Sequence, residues 1–182
     1  MKQFSNLTIV YISIAFVVLL FFLITPISVF ADSSYVLPYP SAMPGSKLYR
    51  INLVKEKVLR YWYFGNFGQF KYSLKQSDKY LVEAKILFEY KQYLLAFEAL
   101  RKSDVYFQQT LPNLVNAQKE RKNINANRDI LREASGKHIE ILSEINKNIP
   151  ANFVWTPEKG APTTLNLSEK IKESIKTRKK YL

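Results

Sequence analysis

Cysteine is missing from the 182-residue chain, and its absence excludes disulfides, thiolate metal sites, a cysteine nucleophile and the acylated cysteine of bacterial lipoproteins. Any anchoring must then be made of protein. Histidine occurs once, as His138 in "SGKHIEIL"; a lone histidine near the inner face of a helical stretch, with no visible partner set, is expected to be a packed or surface residue rather than a catalyst. Glycine is scarce, 5 of 182, and no phosphate loop is present: "GNFG" at residues 65–68 has neither a Lys-Ser/Thr pair nor a preceding strand. Glu140 and Glu144 form an i, i+4 pair that reads as a solvated helix face rather than paired acid and base. Strand-like alternation is rare, whereas Lys, Glu, Leu, Ile and Ala recur at helical spacing, so the expected class is all-α. No catalytic residue, cofactor or metal is expected.

Acids are in short supply, 15 Asp plus Glu against 27 Lys plus Arg, a net charge of +12 that favours anionic partners. Lys2 is followed by "LTIVYISIAFVVLLFFLIT", residues 7–25, which carries no charge and ends at Pro26. That pattern predicts an export signal, with Val29 and Ala31 at the positions expected before cleavage and Asp32 after it. Nineteen apolar residues at about 1.5 Å each also reach about 30 Å, so an uncleaved membrane anchor is the other reading. Either way the remainder is expected outside the cytoplasm.

What is present beyond the leader divides into four parts. Residues 32–46 contain Pro38, Pro40 and Pro44 and predict an extended arm, either a spacer or a strap folded back through Tyr35, Tyr39 and Met43. Ser46 is placed to cap the first helix of a bundle spanning residues 47–149. In that helix Leu48, Ile51, Val54, Val58 and Trp62 share one face, expected inward; "GNFG" then predicts a turn. A second helix over 70–89 and a third from residue 93 bury Phe70, Leu74, Leu81, Ala84 and Phe88 against Ala96, Leu100, Phe107 and Leu111, with Pro112 expected to kink or end the third. Residues 116–129 read as an exposed polar helix, and Ile130 to Ile149 as an amphipathic one. Residues 150–164 predict a proline-rich loop pinned by Phe153 and Trp155, and residues 165–182 a basic helix with an Asn166/Glu169 capping box. The whole is expected to be a small antiparallel bundle of four to five helices.

The segment "LPYPSAMPGSKLYRINLVKEKVLRYW", followed by "AKILFEYKQYLLAFEALRKS", resembles a family of exported helical proteins of unknown function, chiefly from uncultured small-genome bacteria. The resemblance covers roughly residues 35–115 and maps its arm and helix start onto Leu37, Pro38, Tyr39, Pro40, Pro44, Gly45, Leu48 and Tyr49. It implies an exported helix hairpin and assigns no activity. Tyr80, Ala84, Leu87, Tyr93, Ala96 and Leu100 are also similar to one tetratricopeptide unit, but a shift of 34 residues finds no second copy.

These features point to a non-enzymatic protein of the cell envelope, secreted or tethered by residues 7–25. Its expected partner is an anionic lipid or wall polymer, or a protein. Lys170, Lys172, Lys176, Arg178, Lys179 and Lys180 form the candidate contact surface. An alternative is an extracytoplasmic nucleic-acid binder, drawn from the charge and from "RYWYFGNFGQFKY", where rings and cations interleave. An envelope hydrolase is the least favoured reading.

Overall fold

The structure of the protein, a computed structural model, describes residues 35–39 and 43–182. The leader expected over residues 1–31, its cleavage site and Pro40 lie outside the described residues. In order come α1 (Lys47–Trp62), α2 (Gly65–Glu89), α3 (Tyr93–Lys119), α4 (Asn125–Asn148), strands β1 (Asn152–Trp155) and β2 (Thr163–Asn166), and α5 (Leu167–Lys179). The chain is thus a mostly helical bundle with one small antiparallel ribbon. No helix among the described residues is long and apolar enough to cross a membrane.

The α2–α3 hairpin is the backbone of the fold. Ala84, Ala96 and Ala99 are buried where the two helices meet, and their short side chains allow the close approach that leaves Leu81, Leu87 and Leu100 interdigitated. The reversal is tight because Lys91 adopts a left-handed backbone (φ 58°) and the N–H groups of residues 90–92 close onto the carbonyls of Ile86, Phe88 and Leu87. Pro112 does not end α3, which continues to Lys119. Both Pro112 and Gln108, whose carbonyl loses its helical partner, are exposed, so water can satisfy that group.

Three further expectations are corrected. Residues 116–129 hold a turn rather than an exposed helix: α3 stops, Arg121 turns left-handed (φ 61°), and Ile124 is buried before α4 begins. Residues 150–164 are not a plain loop, since β1 and β2 pair in antiparallel register from Asn152↔Asn166 to Trp155↔Thr163. Aromatic and β-branched residues at Phe153, Val154, Thr163 and Thr164 suit that pairing. Phe153 pins the ribbon through Tyr93, ring centres 5.0 Å apart, while Trp155 is 37 % exposed.

The third correction concerns α1, which docks with the opposite face to the one expected. Leu48, Ile51, Val54, Val58 and Trp62 point to solvent, each 60–77 % exposed. Its inward side is held by polar groups: Glu56 forms an ion pair with Lys79, and the Tyr49 hydroxyl donates to Glu83 Oε1 at 3.0 Å. Burial raises the Glu83 carboxyl above its ordinary range. Ser46 Oγ caps the helix by accepting from the Tyr49 N–H, and Gln69 Nε2 closes its other end on the carbonyls of Tyr63 and Arg60. The chain reverses at residues 63–64 and "GNFG" becomes the first turn of α2. Gly68 lies so near Tyr63 that a Cβ there would meet its carbonyl carbon at 2.7 Å.

Candidate functional site

Each of α2, α3, α4 and α5 brings a serine and a charged or titratable residue into the interior of the bundle. The pairs are Ser77 with Asp78, Ser103 with Asp104, Ser135 with His138, and Ser174 with Arg178, all buried. Above and below them lie two separate apolar clusters, the first supplied by all four helices and the second by α2, α3 and α4. One is centred on Leu81, Ala84, Leu100, Leu142 and Ile171, the other on Phe70, Phe107, Leu114 and Leu131. The polar residues therefore form a layer across the bundle between two hydrophobic ones.

The bonding within the layer fixes its protonation. A guanidinium N–H can only donate, so the 3.0 Å contact from Arg178 Nε makes His138 Nδ1 an acceptor. The imidazole proton then sits on Nε2 and is donated to Asp78 Oδ1 at 2.7 Å. Burial holds His138 below its ordinary value, with the Asp78 bond opposing that shift and the Arg178 charge adding to it. His138 is accordingly neutral. Asp78 Oδ2 accepts from the Tyr35 hydroxyl at 2.5 Å, and burial, reinforced by Asp78, pushes that phenol well above its ordinary value.

Arg178 is fully buried and reaches Asp104 Oδ1 (2.6 Å), Ser103 Oγ (2.9 Å) and the Ser174 carbonyl (3.1 Å), while lying over the Phe107 ring. Desolvation lowers its pKa and Asp104 counters this, so the guanidinium stays charged. Ser174 Oγ (2.7 Å) and Lys170 Nζ (2.9 Å) complete the shell of Asp104 on Oδ2. Two carboxylates thus face a guanidinium and an ammonium, and the charges balance around a neutral imidazole.

Of the surface lysines and arginine expected on the last helix, two are drawn inward. Arg178 belongs to the layer, and Lys170, 18 % exposed at its side chain, is spent on Asp104. The reason is periodicity: residues 167, 171, 174 and 178 share the α5 face that meets the bundle, so the residue at 178 is carried inside with them. Lys172, Lys176, Lys179 and Lys180 are exposed and, by the same 3.6-residue period, share one side. Glu169 and Glu173, also exposed, stand at the N-terminal end of that side. Asn166 makes no capping bond to the backbone and instead donates to Glu169 Oε2 at 3.1 Å.

The arm residues split similarly. Leu37 and Met43 pack on the larger apolar cluster and Tyr35 is bonded to Asp78, so these residues act as a strap; Pro38 and Tyr39 are exposed. Gly45 adopts φ 97° ahead of the Ser46 cap, Pro44 is half-buried, Leu48 faces solvent, and Tyr49 reaches Glu83. No group of three or more His, Asp or Glu among the described residues is arranged to hold a metal ion.

The layer is not visible from His138 alone, because its partners are distant in sequence. The signal available was the dipeptide Ser-Asp, at residues 77–78 and again at 103–104, each interrupting an apolar stripe at the middle of a helix. Comparison of the chain with protein-family models, curated proteins and solved structures finds no match in any of the three.

Proposed function

We propose that the protein is a non-enzymatic component of the bacterial cell envelope, exported and either released or tethered by residues 7–25, that binds an anionic envelope component. The observation that carries this reading is the lysine side of α5. Once Arg178 and Lys170 are taken inward, Lys172, Lys176, Lys179 and Lys180 still stand exposed together. Clustered cations on one side of a helix are suited to a phosphate-rich surface, where each adds about 1 kcal/mol of attraction.

The polar layer supports a binding rather than a catalytic role. Both nitrogens of the single histidine are engaged, one by Arg178 and one by Asp78, so neither is available to take a proton from a substrate. The layer's serine hydroxyls are likewise occupied: Ser103 on the Ser77 carbonyl, Ser135 on the Leu131 carbonyl and Ser174 on Asp104.

Sedimentation of the full chain with phosphatidylglycerol vesicles or purified anionic wall polymer tests the binding. Replacing the four α5 lysines by glutamine should abolish the salt-sensitive fraction. Equal binding by the substituted protein would reject this surface. Steep salt-dependent retention on DNA, unmatched on the envelope polymers, would favour the nucleic-acid reading instead. Protease added to intact cells should cut beyond Asp32, whereas protection there would reject export.

A further inference from the structure

The outward side of α1 is apolar in its centre and basic at its edges. Leu48, Ile51, Val54, Val58, Tyr61 and Trp62 are 60–79 % exposed and lie within one sector of the helix. By the helical period, Arg50 and Lys57 border one edge of the stripe and Lys55 lies just inside the other, between Trp62 and Leu48, all three exposed. The helix has a single acid, Glu56, and that acid is turned inward onto Lys79. The outward side therefore presents a wide apolar stripe and cations with no compensating carboxylate.

We propose that α1 is an interfacial helix that lies on an anionic phospholipid bilayer, burying this stripe among the acyl chains and placing its cations at the phosphates. Charge selects this occupant. A second copy would set two all-cationic sides against one another, which costs rather than gains free energy. The uncharged run at residues 7–25 offers the cations nothing to pair with. Lipid satisfies both halves of the surface, and an exposed tryptophan at its margin suits the headgroup boundary. The polar docking of α1 has its reason here: Glu56 and Tyr49 hold the helix by its hydrophilic side so that the apolar one stays available. The inference rests on the envelope reading above and names its partner as lipid. Ten peptide links, about 35 Å at full extension, join residue 25 to the Tyr35 strap, so an inserted leader would keep the bundle within reach of the bilayer surface.

Trp62 is a built-in reporter, because the chain has two tryptophans and the other is Trp155. The full chain carrying Trp155→Phe is reconstituted in vesicles of phosphatidylcholine, alone or mixed with phosphatidylglycerol, with bromine on the acyl chains. The expected result is blue-shifted Trp62 emission quenched by the brominated chains, severalfold more strongly in the anionic vesicles. Arg50→Gln and Lys57→Gln should each lower the bound-to-unbound ratio by about fivefold. Val54→Asp with Val58→Asp, at exposed positions that leave the circular dichroism unchanged, should abolish the quenching. Emission that stays water-like overturns the proposal. So does quenching of equal strength in neutral vesicles, or a blue shift without bromine quenching, which would mean that protein covers the stripe. Substitution of the four α5 lysines should leave Trp62 unmoved, so loss of the α5 surface and loss of the α1 surface are told apart.

Discussion

Arg178 joins α3, α4 and α5 through Asp104, Ser103 and His138 with no access to water. Removing one member of a buried charged set leaves its partners unpaired, so Arg178→Met should lower the unfolding free energy by about 3–5 kcal/mol in chemical denaturation. Adding Asp104→Leu should recover part of that loss, since the orphaned carboxylate goes with it. A cost of Arg178→Met comparable to a surface substitution would show that the layer is not electrostatically closed. His138 supplies a pH dependence whose sign follows from its lowered pKa. As pH falls through about 6.5 the unfolded chain takes up the imidazole proton first, so stability declines from there down to the folded pKa, by at most about 1.4 kcal/mol per pH unit. Glu83, raised by burial, acts with the opposite sign at lower pH. The difference between wild type and His138→Asn, followed from pH 7 downward, isolates the imidazole; Asn can still accept from Arg178 Nε. None of this was legible from His138 alone, because its partners lie 40 and 60 positions away and only the fold brings them together.

At the scale of elements, the α2–α3 hairpin was legible in advance and α1 was not. The hairpin's apolar positions and its small alanines have one consistent use, which is to face each other. The α1 stripe has the same helical period, but periodicity reports only that a helix has two sides, not which of them meets protein. Glu56 and Tyr49 settled the matter by finding Lys79 and Glu83, a pairing invisible without the third dimension. Pro112 yields a second expectation. Because α3 passes through it, Pro112→Ala should restore a hydrogen bond to the Gln108 carbonyl and raise stability by up to about 3 kcal/mol. No gain on thermal melting would mean that water at that carbonyl already compensates fully. Gly68→Ala should act the other way, losing about 1–3 kcal/mol as the new methyl meets the Tyr63 backbone.

For the whole molecule, the layer separates two apolar clusters that are each too small to be a domain, yet it ties them together because α2, α3, α4 and α5 all contribute to it. Unfolding should therefore be one transition, with far-ultraviolet dichroism and near-ultraviolet tyrosine signals coinciding. A resolved first step in either probe would mean that one cluster melts alone. The bundle as a class was legible from composition and helical spacing. Its stacking into apolar, polar and apolar tiers was not, since a serine beside an aspartate inside a helix is read from sequence as a flaw in the stripe. The β1–β2 ribbon was hidden by its prolines, although Phe153, Val154, Thr163 and Thr164 are ordinary strand formers.

Asp104 and Arg178 are 74 positions apart, and Arg178 arrives only with the last helix. A chain that emerges amino end first, from a ribosome or through a secretion pore, exposes both acids of the layer long before the two α5 cations that neutralise them. Until α5 follows, the growing polypeptide holds uncompensated charge where its centre must later be dry, which disfavours premature collapse. Completion of the bundle thus waits on the last helix, and a protease that trims α5 afterwards would reopen the middle of the protein rather than merely shorten its end.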